Sequence, residues 1–299
     1  MMKLDGIAAF VCVADAGSIS EAARRAGLAK SVVSERVAEL ERVLGARLVQ
    51  RTTRKLSLSE DGLAFLERAR RILREVDEAT AEIAERRGTL KGPLRISGPV
   101  SFCALHLGPA LYPFLAAHPG IDLILDLDDR FVDAAADGYD AVLRHGPLRD
   151  NRLIAKRLAS SRRLLVASPA YLKKAGAPTS LDQLAEHRAI LYANREADWR
   201  FGGQNGEIVI RPRAALRVNN GIVMRDAALA GLGITLLPTF LINEQLARGA
   251  LDHVDIGLTA EGADLYLAYP SNRSPSAKVI ALADCLRQAF GDPPYWDVR

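Results

Sequence analysis

Apolar residues in the first third of the chain recur at helical spacing. Ile7, Phe10, Val11, Val13 and Ala14 mark one side of a first helix. Ser18 and Glu21 have the spacing of a capping box over the next, in which each side chain satisfies the other's orphan amide. Ala22, Ala23 and Ala26 give that helix a small face, and Gly27 supplies the left-handed residue that stops it. After the short connection Leu28-Ala29-Lys30, a stripe of Val33, Val37, Leu40 and Leu44 predicts a second amphipathic helix from Lys30 to Leu44. Its exposed N-terminal end carries Lys30, Ser31, Ser34, Glu35 and Arg36. Beyond Gly45 the period changes from 3.6 to 2 in Arg47–Arg51 and Lys55–Leu58, two strands joined by Thr52-Thr53-Arg54. A helix pair followed by a basic hairpin is the order of a winged helix-turn-helix, whose second helix enters the major groove of duplex DNA.

A new helix starts at Ser59, with Glu60 and Asp61 favoured by the macrodipole, and runs without proline to about Arg87. Its stripe is Leu63, Leu66, Ala69, Ile72, Leu73, Val76, Ala79 and Ile83. At 1.5 Å per residue it is about 42 Å long, too long for one small domain to cover. The stripe is therefore expected to pair with a second copy and make a dimer; a helix folded back on its own chain is the alternative. Gly88 and Lys91-Gly92-Pro93 break the pattern. The expected domains are a DNA-binding domain over 1–58, a linker and dimerisation helix over 59–90, and a ligand-binding domain over 91–299. The last has a first subdomain of about 91–160 with 265–299, and a second of about 161–264.

From Leu94 onward, strand-like and helix-like segments alternate. Strands are expected at 94–97, 121–127, 139–144, 153–158, 162–168, 189–193, 214–218, 233–237 and 264–269. Helices are expected from Ser101 and at 131–137, 169–175, 180–186, 221–230, 239–248 and 276–290. This order predicts an open, mostly parallel α/β sheet with a ligand crevice beyond the carboxyl ends of its strands. Ser101, Phe102, Asp129, Arg130, His145, Asn194 and Asn219 fall at those ends. Ser101, opening a helix, offers a hydroxyl and free amides to a carboxylate.

Composition sharpens this picture. Residues 1–60 carry ten Lys or Arg against seven Asp or Glu, and the remaining 239 carry thirty against twenty-nine, so the positive excess sits where phosphate would be met. Cys12, Cys103 and Cys285 are too few and too dispersed for a disulfide framework or a zinc site. Cys12 reads as a buried inert thiol; Cys103 would sense redox state only if exposed beside positive charge. No apolar run was found near the roughly 18 residues a membrane span needs, and no secretory signal opens the chain, so a cytoplasmic protein without membrane partners is expected. The five histidines pair with no Ser or Cys nucleophile, and no phosphate loop, dinucleotide fingerprint or metal spacing occurs, so no catalytic residue, metal or cofactor is expected.

Several motifs resemble those of LysR-type transcriptional regulators across essentially the whole chain. They are Gly17-Ser18-Ile19-Ser20-Glu21-Ala22-Ala23, Val33-Ser34 with Leu40-Glu41 and Leu44-Gly45, Arg51-Thr52-Thr53-Arg54, Leu58-Ser59-Glu60-Asp61-Gly62, Gly138-Tyr139-Asp140, Val166-Ala167-Ser168-Pro169-Ala170-Tyr171-Leu172 and Ala230-Gly231-Leu232-Gly233-Ile234. The resemblance implies an α/β chain with an N-terminal winged helix-turn-helix, a long linker helix, and a two-subdomain effector domain like a periplasmic binding protein. It implies a ligand-responsive regulator of promoter DNA, not an enzyme, that forms a homodimer or homotetramer, meets RNA polymerase, and closes on a small, often anionic, metabolite. DNA contacts are then expected from Ser18, Lys30, Ser31, Ser34, Arg36, Arg51, Thr53 and Arg54. Glu35 departs from the basic residue usual at its position: it either pairs with a neighbour such as Arg36 or alters the operator preference. The alternatives are an enzyme with an attached DNA-binding domain and a repressor without a ligand, whose pocket its own side chains would fill.

Overall fold

The computed structural model describes residues 1–51, 56–85, 89–130, 132–134, 137–146, 151–193, 199–203, 206–271 and 275–297. It comprises two compact units, Met1–Thr89 and Leu90–Arg299.

The first unit contains α1 (Leu4–Ala16), α2 (Ile19–Ala26), α3 (Lys30–Leu44), β1 (Val49–Arg51), β2 (Leu56–Leu58) and α4 (Glu60–Glu85). Ile7, Phe10 and Val13 of α1 form its core with Ala22, Ala23, Val33, Val37, Leu40 and Leu48. Ser18 caps α2 by accepting from the Glu21 amide, and Gly27 ends it at φ 63°. The second half of the capping box is not made, because the Glu21 carboxylate turns to Arg24 and Arg25, which hold its pKa down at about 2. Leu44 stays partly exposed, so the buried stripe of α3 ends at Leu40. Strands β1 and β2 pair antiparallel through Val49↔Leu58, Gln50↔Ser57 and Arg51↔Leu56.

Helix α4 begins against Arg47 and Leu48, the residues that lead into β1. A Cβ on Gly62 would stand 2.1 Å from the Leu48 carbonyl oxygen, so only glycine permits this approach. Ser59 fastens the joint: its amide donates to Leu48 O, its hydroxyl donates to Arg47 O, and its oxygen accepts from the Gly62 amide. Phe65, Leu66, Ala69, Ile72 and Leu73 then pack on the core of this unit. The domain therefore covers Leu66, Ala69, Ile72 and Leu73 of the stripe, more than expected, while Leu63 at its start is 61% exposed. Val76 and Ile83 continue the face of Ala69 at seven-residue steps and are 39% and 61% exposed.

The second unit opens with β3 (Gly92–Gly98) and a helical run made of α5 (Val100–Phe102), a π-helical turn (Cys103–Leu107) and α6 (Gly108–Ala117). Next come β4 (Ile121–Leu127), β5 (Ala141–His145), β6 (Leu153–Ala159), β7 (Arg163–Ala167), α7 (Pro169–Ala175), α8 (Leu181–Glu186) and β8 (Arg188–Tyr192). They are followed by β9 (Trp199–Gly203), β10 (Gly206–Ile210), β11 (Arg213–Val218), α9 (Gly221–Leu229), β12 (Ile234–Pro238) and α10 (Thr239–Ala247). The chain closes with β13 (Asp252–His253), β14 (Thr259–Ala260), β15 (Leu265–Pro270) and α11 (Ala277–Phe290).

These strands form two mixed five-stranded sheets, ordered β4-β3-β5-β15-β6 and β11-β8-β12-β7-β13, with a small third sheet β10-β9-β14. Two sheets fit the two-subdomain effector domain that the resemblance implied, while the expected mostly parallel strand order is corrected to a mixed one. The chain leaves the first sheet after β6 and returns as β15, which enters antiparallel to both β5 and β6; β7 likewise runs antiparallel to β12. The two crossovers lie side by side: the Ala263 amide donates to Ser161 O at 2.8 Å, and the Ser161 amide donates to Asp264 at 3.2 Å.

Three further expectations change. The segment expected as a helix at 131–137 makes turns in its described residues: Asp137 donates to Asp133 O, and its carboxylate accepts from the Asp133 amide, a local bond that competes with helix propagation. The sequence pattern does not predict the hairpin β9–β10, because Gly202, Gly203 and Gly206 weaken its strand signal. The run Val100–Ala117 reaches 18 residues at mean hydropathy 1.4, contrary to the expectation that no apolar run came close. Phe102, Leu107, Leu111 and Phe114 bury it in the main core, as a core helix requires.

Candidate functional site

In the first unit the candidate nucleic-acid face is the polar side of α3. Lys30, Ser31 and Glu35 are exposed and Ser34 is partly exposed, while Val33 and Val37 face the core. The cap residue Ala29 has no side-chain bond to the first turn, so the positive end of the helix stays open to an anion. Two candidates are already engaged: Ser18 accepts at the α2 cap, and Arg36 is held by Asp5 at 3.0 Å. With Arg36 on Asp5, Glu35 does not pair with it, and Glu35 makes no ion pair among the described residues. Arg51 ends β1, whereas Thr53 and Arg54 lie outside the described residues. Sequence reasoning missed the role of Glu41, whose carboxylate accepts from the Leu48 and Val49 amides at 2.8 and 3.0 Å and so ties β1 to α3.

In the second unit, Ser101 sits in the first turn of α5 at the carboxyl end of β3. It is 6% exposed, and its Oγ has no hydrogen-bond partner among the described residues. The hydroxyl faces α9: a Cβ on Gly221 would stand 3.5 Å from it and 2.6 Å from Leu241. Gly221 thus brings helices of the second sheet against the start of α5. Asp129 already occupies part of this helix end, accepting from the Val100 amide at 3.0 Å. Burial raises the Asp129 pKa.

The remaining expected residues divide. His145 is half-buried; its Nδ1–H donates to Ala263 O at 3.0 Å, and its ring stacks on Phe240 at 4.8 Å. Phe102 is fully enclosed among the rings of His106, His145, Phe240, Phe290 and Trp296, so it packs behind Ser101 and does not present a face to a ligand. Arg130 points to solvent in a forked pair with Asp128, because that carboxylate lies only two residues away. Asn219 is exposed; its neighbour Asn220 does the local work, capping α9 by accepting from Ile222 and Val223. Asn194 lies outside the described residues.

Arg144, at the end of an expected strand, adds a charged group that the expected set of residues does not contain. Its half-buried guanidinium donates to Leu143 O, Ser97 Oγ and Arg130 O, while Asp128 and Asp129 attract it from longer range. Burial lowers its pKa. Cys103, next to this group, is buried and pushed up to about 12, which removes it as a thiolate redox sensor. Among the described residues no cluster of metal-ligating side chains occurs.

An exposed reading helix in one unit and two sheets flanking a helix start in the other define a DNA-binding protein with an attached ligand-binding module. Residues 4–63 match the family of bacterial regulatory helix-turn-helix proteins of the lysR type, and residues 87–291 match the LysR substrate binding domain. The chain belongs to the LysR family of transcriptional regulators. It is similar to the HTH-type transcriptional regulator PtxR of Pseudomonas aeruginosa, 32% identical over 98% of this chain and 95% of that protein. Among solved structures it resembles the full-length Vibrio cholerae virulence activator AphB, with TM-score 0.60 and 29% identity over 95% of this chain and 98% of the other. It also resembles CrgA, a LysR-type regulator from Neisseria meningitidis, with TM-score 0.59 and 30% identity over 95% and 97% of the two chains. These relatives are transcriptional regulators and not enzymes.

Proposed function

We propose that this regulator reads promoter DNA through Lys30, Ser31, Ser34 and Glu35 of α3 with Arg51, Thr53 and Arg54 of the hairpin. A small carboxylate metabolite is sensed in the crevice at Ser101. Residues 1–58 act as the reading domain, 59–90 as linker and dimer seam, and 91–299 as the sensor, in a cytoplasmic homodimer or homotetramer that signals to RNA polymerase. The observation that carries the ligand reading is the Ser101 hydroxyl, buried where two sheets meet with no partner among the described residues. A buried hydroxyl left unmet costs free energy that a ligand acceptor returns. Arg144 supplies positive charge nearby, in place of the exposed Arg130.

A thermal-shift screen with small carboxylates tests this. A true effector at 100 times its Kd stabilises by about 2.7 kcal/mol. Ser101→Ala then weakens that effector by about 1.5–3 kcal/mol, ten- to a hundredfold, with DNA binding in its absence unchanged. Equal affinity in parent and variant, measured by calorimetry, removes Ser101 as anchor.

A second reading, a ligand-free repressor, draws on Phe102 and Trp296, which fill the space behind Ser101 with the chain's own rings. It expects no hit in the same screen.

A further inference from the structure

We propose that the hook after α11, residues 291–297, is a strap that holds the two large sheets of the second unit in one mutual arrangement, with Trp296 as its plug and Tyr295 and Asp297 as its ties. The two large sheets are joined by 160–162 and by the return through β14 to 261–264, and Phe102 and His145 meet Phe240 across the joint at 5.2 and 4.8 Å; ring contacts of this kind leave rocking about the joint open. The hook bridges it. It folds back on the end of α11 through Tyr295 N to Phe290 O at 3.0 Å, which turns Trp296 inward to 4% exposure.

The Trp296 ring lies 5.7 Å from Phe102 and 5.0 Å from His106, both on the helical run that follows β3, and 6.5 Å from Phe240 on α10 of the other sheet. Tyr295 and His106 extend this bridge. A backbone carbonyl only accepts, so His106 Nε2–H donates to Phe240 O at 2.9 Å, leaving Nδ1 to accept from the Tyr295 hydroxyl at 2.5 Å. Two hydrogen bonds therefore run from the hook through a first-sheet helix into a second-sheet helix. Asp297, its side chain 7% exposed, pairs at 3.3 Å with Arg162 in the first crossover, and the Arg162 carbonyl in turn accepts from the Thr239 amide. Three consecutive residues, Tyr295, Trp296 and Asp297, thus touch both sheets' helices and the joint between them.

The plug is held by packing and not by polar fit, since Trp296 Nε1 is buried with no acceptor among the described residues. An unmet donor makes the seated state shallower than its burial implies, which suits a strap that must release. Phe102 follows Ser101 directly, so movement at the crevice reaches the plug through one peptide unit.

Hydrogen exchange on the full chain tests the strap. Trp296→Ala is expected to raise exchange at least about tenfold in 100–107, 160–162, 239–247 and 261–264, with the centres of β3 and β12 and residues 1–89 at parent rates. Tyr295→Phe keeps the ring and removes the tie; it should raise the same segments by a smaller factor. In a Trp199→Phe background, which leaves Trp296 as the sole indole, acrylamide quenching should rise with Tyr295→Phe. If exchange rises evenly across 90–297, the hook is only core; if it rises in 291–297 alone, the hook bridges nothing. Either result overturns the proposal. Should Trp296→Ala fail to fold, Tyr295→Phe combined with Asp297→Asn decides by the same pattern.

Discussion

Two helix starts face opposite problems. The first turn of α3 is exposed, its cap residue Ala29 offers no side chain, and Lys30 and Ser31 stand in solvent. The first turn of α5 is buried, and the Asp129 carboxylate takes its first amide. Water can satisfy orphan amides at the first site, so that site stays open at no cost to folding. The second is half-buried at Val100 and Asp129, and the chain supplies its own acceptor for one amide while the Ser101 hydroxyl has no partner among the described residues. A surface for a polymer can be left polar and bare; a site for a small molecule must be balanced internally before the ligand arrives.

Substitutions at the two sites should therefore register in different measurements. Phe102→Ala empties a position ringed by five aromatic groups and should cost about 3–5 kcal/mol, lowering the melting of the second unit while duplex DNA binding per folded molecule persists. A loss under about 1 kcal/mol in denaturant titration would mean that α5 is not supported from behind.

Val76→Asp with Ile83→Asp tests the other edge of the comparison. Both side chains lie exposed past the region where α4 covers its own domain, so a partner helix is their expected burial. Two apolar side chains are worth about 3 kcal/mol or more at such a seam, and sedimentation should find monomers with the first unit folded. An unchanged oligomer moves the seam elsewhere. Ile72→Asp would not decide this, because Ile72 packs on its own domain.

Glu41→Ala leaves the Leu48 and Val49 amides without their acceptor and should destabilise the first unit by about 1–3 kcal/mol. Its DNA affinity should fall with it, as the hairpin loses its tie to α3; intact affinity would separate hairpin placement from binding.

The smallest effect is expected at the exposed site itself. Arg51→Ala should flatten the salt dependence of DNA binding by about one unit for every sequence tested. Glu35→Gln removes a solvent-facing carboxylate with no ion pair among the described residues, and should strengthen non-specific binding without altering stability beyond about 0.5 kcal/mol. No gain in non-specific affinity would mean that Glu35 is directed away from phosphate.

Local pattern carried the reading of the first unit well. Stripe, cap and terminator all act within a few residues, so α2 and α3 emerge from Ser18, Gly27, Val33, Val37 and Leu40 alone. The same holds for α7 at Pro169–Ala175 and β4 at Ile121–Leu127, whose bounds match the expected ones. The division of α4 was not legible. Ala69 and Val76 are equivalent in period, and only the extent of the neighbouring core separates a buried position from an exposed one.

In the second unit, local signals located most strands but not their partners. Pairing depends on contacts far apart in sequence, so the antiparallel return of β15 between β5 and β6 left no periodic trace. Around Ser101, the sequence alone determined that a helix follows a strand, because strand period, Gly98-Pro99 and helix stripe are local; the helix itself starts one residue earlier than expected, at Val100 with Pro99 as its cap. The sequence could not separate Arg130 from Arg144: each is an arginine near a strand end, and the difference between a solvated ion pair and a half-buried guanidinium lies in what the fold puts around them. Helices, strands and the polar face of α3 were thus written in neighbouring residues. Burial of charge, the pairing of strands and the closing of Phe102 by Trp296 were decided only when distant segments met, since desolvation and packing belong to the assembled interior and not to any stretch of chain.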